Sequence, residues 1–174
     1  MPLGPLNGKN FGTSISPWII TLDALEPFKV TGPPRAGPVP GYLEDPENAT
    51  YAVRVQVEIL SGGKATVIGT SQVQWMYWNI RQILAHTVSA GAALRTGDIM
   101  ATGTVSGVGE ETRGCLLETT EGGKVPVKLE DGTERGYLED GDVVRLTGFA
   151  GPKGSGVGFG QCVGRLLASK PFPK

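Results

Sequence analysis

Cysteine, histidine and methionine are scarce in this 174-residue chain, which has two, one and three of them. Cys115 and Cys162 are too few and too isolated to form a disulfide framework or a zinc site. Each stands among apolar or small neighbours with no local cation to lower its pKa, so both are expected to be buried, reduced thiols rather than nucleophiles. Neither sign of charge dominates: 16 Lys and Arg face 17 Asp and Glu, a net charge of −1. A nucleic-acid-binding face ordinarily needs a basic surplus, so no nucleic-acid partner is expected. No apolar run approaches the ~20 residues of a membrane span, and no charged-then-apolar leader follows Met1. These absences predict a soluble, cytoplasmic protein with no membrane partner.

Turn formers are what the chain has in abundance, with 27 glycines and 13 prolines. That composition disfavours helical bundles and favours short strands joined by turns. The length suits one domain, 1–174, able to bury a core of its own. Residues 31–41 (Thr-Gly-Pro-Pro-Arg-Ala-Gly-Pro-Val-Pro-Gly) read as an exposed loop, and 168–174 as a frayed tail. Tyr51, Val53, Val55, Val57 and Ile59 alternate with polar residues, which predicts a half-buried strand returning as a hairpin through Thr66–Ile68. Met76, Ile80, Ile83, Leu84 and Thr87 recur at helical spacing, predicting a helix over 74–88 stopped by Gly91. Gly97-Asp98 and Gly141-Asp142 each precede an apolar stretch, and each is expected to open a strand. A further hairpin is expected between 114 and 132, around Asp131-Gly132, and a last strand over 157–167. Gly158, Gly160 and Gly164 lack the spacing of a dinucleotide fingerprint and read as a strand packed closely on its neighbours. The fold class is mixed α/β, rich in antiparallel β.

Chemistry is most concentrated near the start, in Gly8-Lys9-Asn10-Phe11-Gly12-Thr13-Ser14 running on to Ser16-Pro17-Trp18. Glycines allow close backbone approach to a ligand, and a lysine between them offers a compact charge to a carboxylate, an enolate or an oxyanion. A phosphate-binding P-loop is excluded by spacing, since only three residues stand between Gly4 and Gly8 and Asn10 follows the lysine. Glu44, Asp45 and Glu47 crowd together after the Pro-rich loop and are expected to be a solvated acidic cluster. His86 is expected to be an ordinary helix histidine rather than a base.

The Gly8–Trp18 string resembles a segment of the fumarylacetoacetase family, the carbon–carbon hydrolases of tyrosine and phenylalanine catabolism. The resemblance continues through Asp23-Ala24-Leu25-Glu26-Pro27-Phe28, Tyr77-Trp78, Leu94-Arg95-Thr96-Gly97-Asp98, Ala101-Thr102-Gly103-Thr104 and Gly158-Phe159-Gly160-Gln161-Cys162. It covers only the C-terminal part of the family pattern and implies part of a mixed β-sandwich roll. The activity it implies is metal-assisted hydrolysis of 4-fumarylacetoacetate, a β-diketo acid, to fumarate and acetoacetate, with Mg²⁺ and Ca²⁺ as ions and a homodimer as the assembly.

Carried over residue by residue, Lys9 matches the family lysine beside the metal and the scissile carbonyl. Thr13 matches a residue that helps hold the magnesium. Glu118 matches the glutamate that orients the catalytic histidine, and Thr104 a threonine that contacts substrate. A protonated lysine has no lone pair for a cation, so Lys9 is expected to stabilise the oxyanion or enolate, with any metal contact indirect or through its carbonyl. A carboxylate following three apolar residues suggests that Glu118 is a buried strand residue with a partner. The family's histidine, chelating carboxylates and substrate-binding arginine, tyrosines and glutamine precede the matched segment, and the isolated chain is therefore expected to be inactive. Two other readings stand beside this one: a non-catalytic truncated binding module, and an acylpyruvate hydrolase or oxaloacetate decarboxylase relative. The latter rests on Gly103-Thr104-Val105-Ser106-Gly107-Val108-Gly109.

Overall fold

Alternation decides the central strand. Val53, Val55, Val57 and Ile59 fall on one side of an extended segment, and a computed structural model describing residues 12–152 and 154–170 builds the fold around it. A short helix α1 (Leu22–Leu25) leads into β1 (Lys29–Thr31), which pairs antiparallel with β2 (Ala49–Tyr51). Strand β3 (Val53–Ser61) turns through Gly62-Gly63 into β4 (Lys64–Gln72). Helix α2 (Ile80–Ser89) and a short helix α3 (Leu116–Thr119) follow. Strands β5 (Val127–Lys128) and β6 (Glu134–Arg135) form a small hairpin before β7 (Val143–Ala150) and β8 (Val157–Arg165). The main sheet has the order β4-β3-β7-β8, with every neighbour antiparallel. The chain is thus mixed α/β and β-rich. Among the described residues no helix is long and apolar enough to cross a membrane.

The core is divided in two. Leu25, Val53 and Ala150 are buried at one end of the sheet, with Ile20, Phe28 and Phe159 packed around them. Ile59, Ile68 and Leu129 are buried at the other, flanked by Val57, Leu116 and Val127. Glu58 on β3 receives a two-pronged contact from Arg145 on β7, at 2.6 Å from Nε and 3.0 Å from Nη2, which locks the register of the two central strands.

Several expectations change. The helix begins at Ile80, not at 74; Val73–Trp75 is a single tight turn and the chain from Met76 to Asn79 is not helical. The start is fixed by a capping box, in which Gln82 N donates to Asn79 Oδ1 at 3.0 Å and Asn79 N to Gln82 Oε1 at 3.1 Å. Residues 97–103 form no strand: Asp98 closes a turn on the backbone N–H of Arg95 at 2.8 Å, and Ile99 is exposed. The hairpin around Asp131-Gly132 is present but joins only β5 to β6, and much of 114–126 is turn and helix instead. Cys115 and Cys162 are free thiols but half-buried rather than fully buried. Residues 168–170 are exposed without regular structure, and 171–174 lie outside the described residues.

The acidic cluster is not merely solvated. Asp45 Oδ2 accepts from Asn79 Nδ2 at 2.7 Å and pairs with Arg81 at 3.0 Å, while Glu47 pairs with Arg81 at 3.1 Å and Lys29 at 3.3 Å. These contacts anchor the start of α2 to the preceding loop.

Candidate functional site

Two close backbone approaches build the site. A side chain at Gly107 would fall 2.3 Å from the Trp75 ring, and one at Gly114 would fall 2.2 Å from the carbonyl oxygen of Val105. With glycine at both places the 104–107 and 112–115 segments can close on each other, joined by Gly107 N donating to Thr112 O at 3.1 Å. The chain then turns into α3, with Thr120 N donating to Leu116 O at 2.8 Å, and Arg113 Nη1 donates to the Glu118 and Thr119 carbonyls at 3.3 and 3.4 Å.

This folding brings Glu118 to Ser106. Ser106 Oγ donates to Glu118 Oε2 at 2.5 Å, and Gly114 N donates to the same oxygen at 3.1 Å. Among the described residues nothing donates to Oε1. Glu118 lies on a short helix and is exposed, which corrects the expectation of a buried strand position; the partners of its carboxylate are Ser106 and Gly114, which the sequence did not point to. Thr104 and Glu118 line one pocket of about 430 Å³ with Ser106 and an aromatic wall of Trp75, Tyr77 and Trp78.

The other sequence candidates are placed differently. Lys9 lies outside the described residues. Thr13 is exposed and does not line the pocket. Its neighbours run along β8: a side chain at Gly164 would come within 3.5 Å of Ser14 Oγ, and Ser16 Oγ donates to Phe159 O at 3.2 Å. Strand β8 is the sheet edge opposite β4, three strand spacings of about 4.8 Å away. His86 is exposed in the last turn of α2, its Nδ1 3.1 Å from Tyr42 Oη with the two rings stacked at 6.3 Å. It lines a separate pocket of about 210 Å³, sharing only Trp78 and Ile83 with the first.

Arg35 is a contributor that the sequence reading passed over. It leaves the Pro/Gly-rich loop to donate to the Tyr77 carbonyl, to Asn48 Oδ1 at 2.5 Å and to Gln82 Oε1 at 2.6 Å. Its guanidinium carbon lies 4.9 Å from the Tyr77 ring centroid and 5.2 Å from that of Trp78. The available signal was one cation isolated among prolines and glycines, with a Tyr-Trp pair far along the chain. Among the described residues no three His, Cys, Asp or Glu side chains converge on a cation site. These residues therefore do not by themselves fit the Mg²⁺ or Ca²⁺ that the resemblance implies.

The family model described as fumarylacetoacetate (FAA) hydrolase C-terminal matches residues 1–166. The chain is similar to the fumarylacetoacetase of Arabidopsis thaliana, with 45% identity over 98% of this chain and 41% of that protein. It is 46% identical to fumarylacetoacetase fahA of Aspergillus fumigatus over 96% of this chain and 39% of the relative. With the human fumarylacetoacetase it shares 42% identity over 96% of this chain and 40% of the relative. The chain thus spans about two fifths of the length of the curated relatives it matches, and it belongs to the fumarylacetoacetate hydrolase family as a counterpart of the family's C-terminal part.

Proposed function

We propose that this chain furnishes part of the catalytic pocket of a fumarylacetoacetase-type hydrolase acting on 4-fumarylacetoacetate. The observation that carries the reading is the Glu118 carboxylate: Ser106 and Gly114 both donate to one of its oxygens, and Glu118 lines a pocket that Thr104 also lines. Hydrolysis of a β-diketone requires water to add to a carbonyl, the carbon–carbon bond to break, and the leaving carbanion to depart as an enolate. Glu118 Oε1 accepts the N–H of a histidine supplied elsewhere in the polypeptide, fixing its tautomer and stabilising the imidazolium formed as water gives up its proton. Ser106 and Gly114 fix the carboxylate in turn. Thr104 donates its hydroxyl to a substrate carboxylate, and the Lys9 ammonium stabilises the oxyanion or enolate. Mg²⁺ or Ca²⁺ would need ligands beyond the described residues, and the role proposed for this chain is borne by Lys9, Thr104 and Glu118. Thr13, which lies outside this pocket, is proposed to sit near such an ion on the strength of the family resemblance alone. Association into a homodimer and a cytoplasmic location belong to the same proposal.

The test is kinetic, in a full-length enzyme containing this segment. Lys9→Met is expected to lower kcat more than it raises KM, because its charge acts on the transition state. Glu118→Gln is expected to lower kcat by up to ~10⁴-fold, as amide replacement does in other His–carboxylate pairs. Matched melting curves separate chemistry from folding. Near-wild-type kcat in both variants, with the fold intact, would remove the mechanism while leaving the family membership standing.

A further inference from the structure

Four consecutive side chains, Trp75, Met76, Tyr77 and Trp78, line the pocket of about 430 Å³ that also holds Thr104, Ser106 and Glu118. No regular element does this, because a strand sends successive side chains to opposite faces and a helix spreads them around its axis. The stretch escapes both. The tight turn Val73–Trp75 follows β4, and the Asn79–Gln82 capping box holds back α2 until Ile80. The late helix start thus leaves an aromatic run on the pocket wall.

That wall is braced from behind. The Trp75 ring rests against the Gly107 backbone, where a Cβ would fall 2.3 Å from it. Tyr77 and Trp78 meet edge to face at 4.9 Å with the Arg35 guanidinium over both rings, and Ala36 N donates to Tyr77 Oη at 3.2 Å. Each of the three aromatic side chains nevertheless keeps 37% exposure. Gly107 directly follows Ser106, so the Trp75 ring borders the end of the pocket where Ser106 donates to Glu118. Among the described residues Glu118 is the only charged side chain in the lining.

Hydrolysis of 4-fumarylacetoacetate to fumarate and acetoacetate breaks the bond between the fumaroyl carbonyl carbon and the adjacent methylene. The carbonyl that water attacks is therefore conjugated with the fumaroyl double bond, and this half of the substrate is flat. A flat π-system gains from contact with an aromatic ring beyond the area it buries. We propose that Trp75, with Tyr77 and Trp78 completing the wall, is a specificity-determining residue that selects a planar, α,β-unsaturated acyl group over a saturated one. The inference deepens the hydrolytic reading and rests on it.

The test compares two substrates in a full-length enzyme containing this segment: 4-fumarylacetoacetate and the analogue whose fumaroyl double bond is reduced. The ratio of their kcat/KM values does not depend on the fraction of enzyme that is folded, and their intrinsic difference in reactivity cancels when variant is compared with parent. Trp75→Leu is expected to lower the preference for the unsaturated substrate about three- to tenfold, and Trp75→Phe, which keeps a flat ring, to retain most of it. An unchanged ratio in Trp75→Leu would overturn the inference and leave Trp75 a structural residue. A second readout needs no variant: fumarate is expected to inhibit the parent enzyme more strongly than succinate, and equal inhibition would also overturn the inference. Glu118→Gln is expected to slow both substrates alike. Its kinetics test the hydrolytic reading, whereas the substrate ratio tests the wall, so the two failures are distinguishable.

Discussion

Arg35 illustrates how one side chain can join distant parts of the chain. Its three acceptors lie 13, 42 and 47 residues away, and its guanidinium rests on both rings of a Tyr77–Trp78 pair meeting edge to face at 86°. The Pro/Gly-rich loop is thereby tied to the aromatic wall of the candidate pocket. Replacing Arg35 by Met keeps the stem but leaves the Tyr77 carbonyl and the Asn48 and Gln82 oxygens short of donors. The expected loss is about 2 kcal/mol, reduced from the sum of its charge-assisted bonds because the site is partly solvated. Arg35→Lys should recover little of it, since an ammonium cannot serve this fork of acceptors and stack on the rings as well. Urea denaturation followed by tryptophan emission checks both variants; a loss below about 0.5 kcal/mol for Arg35→Met, the range of ordinary surface changes, would show that the cluster is decorative.

At the scale of elements, periodicity was readable wherever a strand or helix answered to its own side chains. Alternation from Val53 to Ile59 marked β3, and Gly141-Asp142 marked the entry to β7. The identical Gly97-Asp98 signal led to no strand because strand formation needs a neighbour to pair with, which sequence spacing does not reveal. The start of α2 was encoded in Asn79-x-x-Gln82, but apolar spacing from Met76 suggested an earlier start. Residue matching named Glu118 and Thr104, which line one pocket, whereas the Ser106 and Gly114 contacts depend on two glycine-permitted approaches that appear only in three dimensions. The same strands carry a pH dependence. Arg145 holds the Glu58 carboxyl below the ordinary carboxylate range. Burial pushes Asp142 up, but Arg135 and the backbone N–H of Glu139 outweigh it and leave the group lowered. Depressed carboxylates contribute stability that is complete above their unfolded pKa of about 4 and is lost as pH falls through the lower folded value. Melting temperature should therefore fall as pH drops below about 4. Glu58→Gln should cost about 2 kcal/mol at neutral pH, less than for a fully buried pair because Arg145 keeps 27% exposure. It should also flatten the acid limb without abolishing it, since Asp142–Arg135 remains; an unchanged limb in thermal melts from pH 7 to pH 2.5 would place the linkage elsewhere.

For the whole molecule, the question is what the isolated chain can do. Its sequence contains one histidine, His86, and that residue faces Tyr42 in a pocket that Glu118 does not line. A base must come within about 3 Å, directly or through one water, of the proton it removes. The pocket holding Glu118 and Thr104 therefore has a carboxylate able to orient an imidazole, but no imidazole of its own among the described residues. Positioning without a base leaves the water step largely uncatalysed, and a general base ordinarily contributes ~10²–10⁴-fold. The isolated polypeptide is expected to hydrolyse 4-fumarylacetoacetate slower than a full-length relative by at least that factor, measured by loss of substrate ultraviolet absorbance with Mg²⁺ and Ca²⁺ present. His86→Asn should leave any residual rate unchanged. Turnover comparable with the full-length enzyme, lost in His86→Asn, would instead make His86 the base and require the Tyr42 pocket to open onto Glu118.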